Sequence, residues 1–132
     1  LNTSYKPVLL LAMLDSLQSN ATCDLADVTE RFLCFYADRA ARGLPVEQDS
    51  ASIQEVIFSP HESSVSRVRR ILLQSPLRVF QSAGVCSCEN GYITVAASYM
   101  PALTTTHQVV HLRMCAGKAI ADYYSASVEG SS

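Results

Sequence analysis

The strongest chemical signal in the chain is a cluster of basic residues near its middle. The cluster comprises four arginines: Arg67, Arg69, Arg70 and Arg78. No aspartate or glutamate occurs between residues 63 and 88. The guanidinium group presents a planar fork of N–H donors that fits phosphate oxygens and the edge of guanine. The cluster therefore predicts contact with nucleic acid. The alternative interpretation is a solvated helix face whose arginines pair with acids from elsewhere in the chain.

Three other residues extend this predicted nucleic-acid site. Ser66 carries a hydroxyl that could donate to a phosphate oxygen. Lys6 is predicted as a secondary phosphate contact, and so is Arg78 of the arginine cluster. Asn90 lies in a predicted turn that would approach the same ligand. The whole chain has a net charge of −2. Affinity driven by charge should therefore be modest and strongly dependent on salt.

Cysteines and histidines offer a second kind of chemistry, metal binding. Cys86 and Cys88 flank a single residue in a predicted hairpin, whereas His107, His111 and Cys115 follow at intervals of four on a predicted helix. Structural zinc sites usually have about two to four residues between paired cysteines. Here one residue separates the two cysteines, and 18 residues then separate Cys88 from His107. We therefore expect ordinary core or surface residues and no cofactor, and keep a zinc-stabilised module as a third hypothesis.

Catalysis is not predicted from the residues. The sequence contains no glycine-flanked nucleophile elbow, no local motif that places a base beside a thiol, and no glycine-rich phosphate loop. We expect the chain not to be an enzyme.

Composition bounds the size and setting of the molecule. The chain has 132 residues, of which 48% are hydrophobic and 17% charged. This length fits one domain with a core of its own, and the low charge suggests a surface that another domain or subunit covers. The odd number of cysteines, five, favours reduced thiols in a cytoplasmic protein. No apolar run reaches the roughly 18 residues that a membrane span needs. A start at Leu1 fits a fragment of a longer protein, and a processed chain would also explain it.

The apolar periodicity and the turn residues predict the elements that would position these side chains. The predicted order is a helix over 4–18, a short strand at 21–23, a helix over 25–41, an ambiguous segment at 46–62, a helix over 63–74 with one further turn at 77–80, a hairpin of 84–88 and 92–95, a helix over 105–125 and a flexible tail at 126–132. Ser4 and Asp24 are predicted helix caps, and Gly117 is predicted to permit close packing.

This order predicts a mainly α domain with a small β-hairpin, of winged-helix type, over residues 1–125. In a winged helix, the helix before the hairpin is the recognition element and the hairpin is the wing. Arg67, Arg69 and Arg70 would then lie on the recognition helix, and Asn90 would lie at the tip of the wing.

Three stretches of the chain resemble a helical module of bacterial proteins. They are residues 2–14 (NTSYKPVLLLAML), residues 42–46 (RGLPV) and residues 75–80 (SPLRVF). The module is appended to restriction-type nucleases and helicases of defence and mobile-element systems. The resemblance implies a cytoplasmic, non-catalytic accessory domain that helps a larger protein to process DNA or RNA, and it carries over no catalytic residue.

A protein-interaction or oligomerisation domain, such as a homodimer, is the main alternative. The low charge and the apolar first and last helices would suit contact with another domain or subunit. Five tyrosines could serve the same purpose, since they combine an apolar ring with a polar tip: Tyr5, Tyr92, Tyr99, Tyr123 and Tyr124. Tyrosines of a core whose hydroxyls are hydrogen-bonded would look the same in the sequence.

Overall fold

The computed structural model describes residues 4–46 and 64–130. The elements are α1 (Tyr5–Ser16), β1 (Thr22–Asp24), α2 (Leu25–Ala41), α3 (Ser64–Gln74), α4 (Pro76–Ser82), β2 (Cys86–Glu89), β3 (Tyr92–Val95), a 3₁₀ turn (Ala97–Tyr99), α5 (Met100–Thr104) and α6 (Thr106–Gly130). The ambiguous segment of the sequence lies, apart from Val46, outside the described residues. The predicted mainly α fold with a small β-hairpin is confirmed, and β1 adds a third strand to the hairpin.

α1 lies at the centre of the domain. Val8, Leu9 and Met13 are buried, and the helix packs against α2, α4 and α6. A helix that is apolar nearly all round is expected in such a position. Ser4 precedes the helix as predicted, but its side chain makes no capping bond. Instead the Ser4 hydroxyl lies 2.7 Å from the hydroxyl of Tyr36 on α2, because both groups are buried and satisfy each other.

α2 has the predicted bounds because both of its ends carry strong signals. The carboxylate of Asp24 accepts a hydrogen bond of 2.9 Å from the Ala26 amide, which confirms the predicted cap. At the other end, Gly43 adopts a φ of 71°, a left-handed conformation that costs glycine little. Phe32 and Tyr36 are buried along one face, and their rings contact that of Tyr5 on α1.

The helix that bears the arginines ends at Gln74, and a second helix begins at once. Pro76 has no amide hydrogen, so it cannot continue α3, yet it is well suited to the first position of α4. The sequence predicts one further turn here, whereas α4 has seven residues. α3 packs on α2 and α4, and α4 packs on α1 and β2. The helix directly before the hairpin is therefore α4, which carries Arg78. The prediction that this position belongs to the helix with Arg67, Arg69 and Arg70 is wrong, because Pro76 divides the predicted helix in two.

The three strands form one antiparallel sheet in the order β1-β3-β2. The turn between β2 and β3 has left-handed φ values at Asn90 (54°) and Gly91 (79°), as the Asn-Gly pair predicts. The Gly91 carbonyl accepts a hydrogen bond of 2.9 Å from the Leu25 amide. The tip of the hairpin is thus fastened to the start of α2.

α6 is longer than predicted and continues to Gly130, since no proline or helix-ending glycine precedes that residue. The predicted flexibility of residues 126–132 stays a prediction. α6 docks on α1 through buried Ile120 and through an ion pair of 2.7 Å between Arg113 and Asp15. A Cβ atom added at Gly117 would meet nothing within 4 Å. The prediction that this glycine permits close packing is therefore wrong.

The far end of α6 is joined to the end of α2. The Arg39 guanidinium lies 3.4 Å from the centre of the Tyr124 ring and donates a hydrogen bond of 2.6 Å to the Pro45 carbonyl. The Tyr124 hydroxyl donates to the Val46 carbonyl. Among the described helices, none is long and apolar enough to cross a membrane.

Candidate nucleic-acid interface

The predicted contact residues of α3 lie opposite its buried stripe. Val68 and Leu72 are fully buried and face the core. Ser66, Arg69 and Arg70 are exposed on the other side of the same helix, as a period of 3.6 residues requires. We refer to the outward residues Ser66, Arg67, Arg69 and Arg70 together as the arginine face.

The members of the arginine face differ in how available they are. Arg67 is partly buried and already takes part in an interaction within the protein. Arg69 and Arg70 are exposed, and within residues 4–46 and 64–130 neither forms an ion pair. The alternative interpretation, in which some of these arginines pair with acids of the same chain, thus finds no support for Arg69 and Arg70 within the described residues, whereas Arg67 does interact within the protein. These two guanidinium groups remain open to an anionic ligand.

The secondary contacts lie on two other helices. Arg78 is exposed on α4, where Leu77 beside it is buried and holds the helix against the core. Lys6 is exposed in the first turn of α1. α1 and α4 pack against each other, and α4 also contacts α3. The positive residues are therefore distributed over three helices, of which α4 packs on both of the others.

The hairpin carries a different charge from these helices. Asn90 lies exposed at its tip, but no lysine, arginine or histidine occurs between residues 79 and 106. Tyr92 pairs with Asp24 on one side and with Glu89 on the other, so two carboxylates flank it on the outer face of the sheet. Such a surface repels phosphate, which leaves Asn90 in acidic rather than basic surroundings.

Of the tyrosines predicted as contact residues, Tyr92 and Tyr99 are exposed (47% and 40% of their surface), whereas Tyr5, Tyr123 and Tyr124 are buried. The alternation of β3 places Ile93 and Val95 inside and therefore Tyr92 and Thr94 outside. That alternation was visible in the sequence. The acids that flank Tyr92 were not, because one of them belongs to β1, far away in the chain.

The cysteines of the hairpin face the core. Cys86 is buried and Cys88 half-buried, on the same side of the sheet as Cys23 of β1. Burial, together with the nearby thiol of Cys86, raises the pKa of Cys23 to about 11, and burial together with Cys88 raises the pKa of Cys86 to about 11. These thiols are therefore protonated at neutral pH.

The structure does not assemble the zinc site that the sequence allows. Among the described residues, no three side chains of histidine, cysteine, aspartate or glutamate are grouped to hold an ion. Cys86 and Cys88 are thus not brought together with His107 and His111. A structural zinc site of these four residues is not formed here.

One imidazole of the predicted row on α6 does lie beside a thiol. His111 Nε2 is 3.5 Å from Cys115 Sγ on the exposed surface of α6. Residues four apart on a helix are neighbours, so the interval of four in the sequence already favours this contact. Comparison with known proteins identifies no relative of the chain. No protein-family model, no curated protein and no solved structure matches it.

Proposed function

We propose that the chain is a non-catalytic nucleic-acid-binding domain and that it acts as an accessory part of a larger bacterial protein that processes DNA or RNA. The observation that carries this proposal is the pair of exposed arginines, Arg69 and Arg70, that form no ion pair within the described residues. The accessory role rests on the resemblance of the first helix and of two later stretches to modules of restriction-type nucleases and helicases.

The packing of α3 supports the proposal. Val68 and Leu72 are held in the core, so the backbone that bears the arginines is fixed before any ligand binds. A ligand then has to order only the arginine side chains, which lowers the entropic cost of binding. Ser66 lies on the same face and offers a neutral donor for a phosphate oxygen.

The charge of the hairpin restricts how the ligand lies. Phosphates should follow α3 and α4 through Arg69, Arg70 and Arg78, and should avoid the carboxylates of Asp24 and Glu89. The proposed interface is therefore centred on helices, and the hairpin serves mainly to hold α2 and α4 in place. About three phosphate contacts of this kind give a slope of log K against log salt of roughly −3.

The proposal is tested by fluorescence anisotropy of labelled duplex DNA, single-stranded DNA and RNA at two salt concentrations. The double variant Arg69→Ala/Arg70→Ala should weaken binding about tenfold or more and lower the salt slope by about two contacts. The matched control is Arg31→Ala/Arg42→Ala, which also removes two charges but from exposed arginines already paired with Asp27 and Asp38. Equal effects of the two double variants, or no binding even at low salt, would overturn the proposal.

A protein-interaction or oligomerisation domain is the second candidate, and one observation favours it. Val110 and Met114, one turn apart on α6, are 52% and 68% exposed. The apolar character of α1 no longer supports this candidate, because α1 is buried in the domain's own core. Sedimentation velocity over a range of protein concentrations distinguishes the two, since only association makes the sedimentation coefficient depend on concentration. In that case Val110→Ser/Met114→Ser would abolish the dependence and Arg69→Ala/Arg70→Ala would not.

A further inference from the structure

We propose that His111 and Cys115 form a two-ligand binding site for a thiophilic divalent cation of the Zn²⁺ class on the exposed face of α6. Both side chains are exposed, and His111 Nε2 lies 3.5 Å from Cys115 Sγ. Imidazole nitrogen and thiolate sulfur are the two donor types that zinc prefers in proteins. The site lies on a different helix from the arginine face and does not depend on the proposed nucleic-acid binding.

The separation of the two donor atoms matches the requirement of a tetrahedral ion. With Zn–N near 2.1 Å and Zn–S near 2.3 Å, two ligands of a tetrahedron lie about 3.5 Å apart. The pair has that spacing already. An ion therefore binds by replacing the thiol proton, which passes to solvent, without drawing the two residues together or apart.

The helix holds the pair in place. Arg113, between the two ligands in sequence, is fixed by its ion pair with Asp15 on α1. Ala116, next to Cys115, is buried. The backbone on both sides of the site is thus attached to the core. The cation gains a preorganised pair of ligands and leaves the folded structure unchanged.

The site is open rather than closed. Within the described part of the chain, no third histidine, cysteine or carboxylate joins the pair, so water fills the remaining positions. Sites with open positions exchange their ion more readily than closed structural sites do. The ion is therefore not required for folding, in contrast to the zinc-stabilised module that the sequence left as a hypothesis.

A nucleophilic role for the same pair is less well supported by the surroundings. Acyl transfer needs hydrogen-bond donors that stabilise an oxyanion, usually free backbone amides. His111 and Cys115 lie inside the long helix α6, where backbone amides are already bonded to carbonyls four residues earlier. The geometry points to coordination instead.

The test is a titration of the reduced, metal-free chain with Co²⁺ in the absence of oxygen, followed by competition with Zn²⁺. We expect a thiolate-to-cobalt charge-transfer band that saturates at one ion per chain and disappears when Zn²⁺ is added. Cys115→Ser should abolish the band, and His111→Gln should shift the titration to higher cobalt concentration. Circular dichroism of each variant should match that of the parent chain, because both side chains are exposed.

Two control variants make the result specific. Cys34→Ser removes the other exposed thiol, and His107→Gln removes the histidine one turn earlier on α6. Both should leave the band and its midpoint unchanged. The proposal is overturned if the parent chain shows no band, if Cys34→Ser removes it, or if it survives Cys115→Ser.

Discussion

α3 and α6 bury similar surfaces and expose very different ones. α3 buries aliphatic residues such as Val68 and Leu72, and α6 buries Ala116 and Ile120. Outward, α3 presents guanidinium and hydroxyl groups, whereas the first half of α6 presents imidazole, thiol and apolar side chains. The inward residues determine where each helix lies, and the outward residues determine what it can bind. The two proposed sites therefore lie on separate helices of one small domain.

The largest expected effect is a difference in stability between variants that truncate the buried face of α3 and variants that truncate its exposed face. Leu72→Ala removes a fully buried side chain and should lower the free energy of unfolding by about 2–5 kcal/mol. Leu73→Ala, at the next position but 37% exposed, should change it by less than about 0.5 kcal/mol. Urea denaturation followed by circular dichroism measures both. Similar losses for the two variants would mean that the arginine face is not the outer face of the helix.

The second prediction concerns thiols inside and outside the core. At pH 8 an alkylating reagent should modify the exposed Cys34 and Cys115 much faster than Cys23 and Cys86, since burial shields the latter two thiols from the reagent and raises the pKa of each to about 11. Mass spectrometry of quenched digests gives the rate for each cysteine. Rapid modification of Cys86 in the native chain would contradict the inward orientation of the sheet's cysteines.

The same pKa values predict how stability depends on pH. The folded chain holds the protons of Cys23 and Cys86 more tightly than the unfolded chain, because burial raises both pKa values to about 11. Their contribution to stability is therefore complete below pH 9 and is lost as the pH rises from about 9 through 11. Urea midpoints measured across this range should fall, and the fall should be smaller in Cys23→Ala than in the parent chain.

A matched pair of charge changes tests the comparison of the two exposed faces directly. Arg70→Glu should weaken binding to DNA or RNA about tenfold, or about 1.4 kcal/mol, because it places a carboxylate where a phosphate is expected. Met114→Glu introduces the same carboxylate on the exposed face of α6 and should leave the affinity nearly unchanged. Anisotropy titrations at one fixed salt concentration compare the two. A larger loss of affinity for Met114→Glu would indicate that the nucleic acid binds at α6 and not at α3.

The smallest expected effect is a gain in stability on α6. Gly117→Ala should raise the free energy of unfolding by about 0.5–1 kcal/mol, because alanine favours the helix and its Cβ meets nothing within 4 Å. The same change at Gly91, whose φ is 79°, should destabilise the hairpin instead. Thermal denaturation should show a higher melting temperature for Gly117→Ala and a lower one for Gly91→Ala. A loss of stability in Gly117→Ala would contradict the open space around this glycine.

The sequence predicts best those elements whose two ends carry local signals. α2 is bounded by Asp24 and by Gly43, and its predicted and observed limits agree. α4 is underestimated because proline has two roles: Pro76 ends α3 and also starts a new helix. α5 and the preceding 3₁₀ turn are missed, since their small and mixed residues show no apolar period over so short a length.

Prediction of the candidate sites has the same limit, because local patterns in the sequence show where a residue lies but not what it contacts. The outward position of Arg69 and Arg70 follows from the period of α3 alone. The acidic surroundings of Tyr92 do not, because they depend on the register between β1 and β3, which no local pattern encodes. The spacing of His111 and Cys115 is visible in the sequence, but their distance depends on rotamers, which only coordinates provide.

The pairing of β1 with β3 has a consequence for the order of folding. Cys23 pairs with Ile93, so the two strands are about 70 residues apart in the chain, whereas β2 and β3 are joined by two residues. A hairpin of that kind closes within about 10 microseconds, while a distant strand must first overcome the entropy of closing a long loop. β1 should therefore join late, after α1 and α2 have packed. In the transition state for folding, we expect contacts of the Asn90-Gly91 turn to be formed and those of Thr22 with Thr94 to be largely absent.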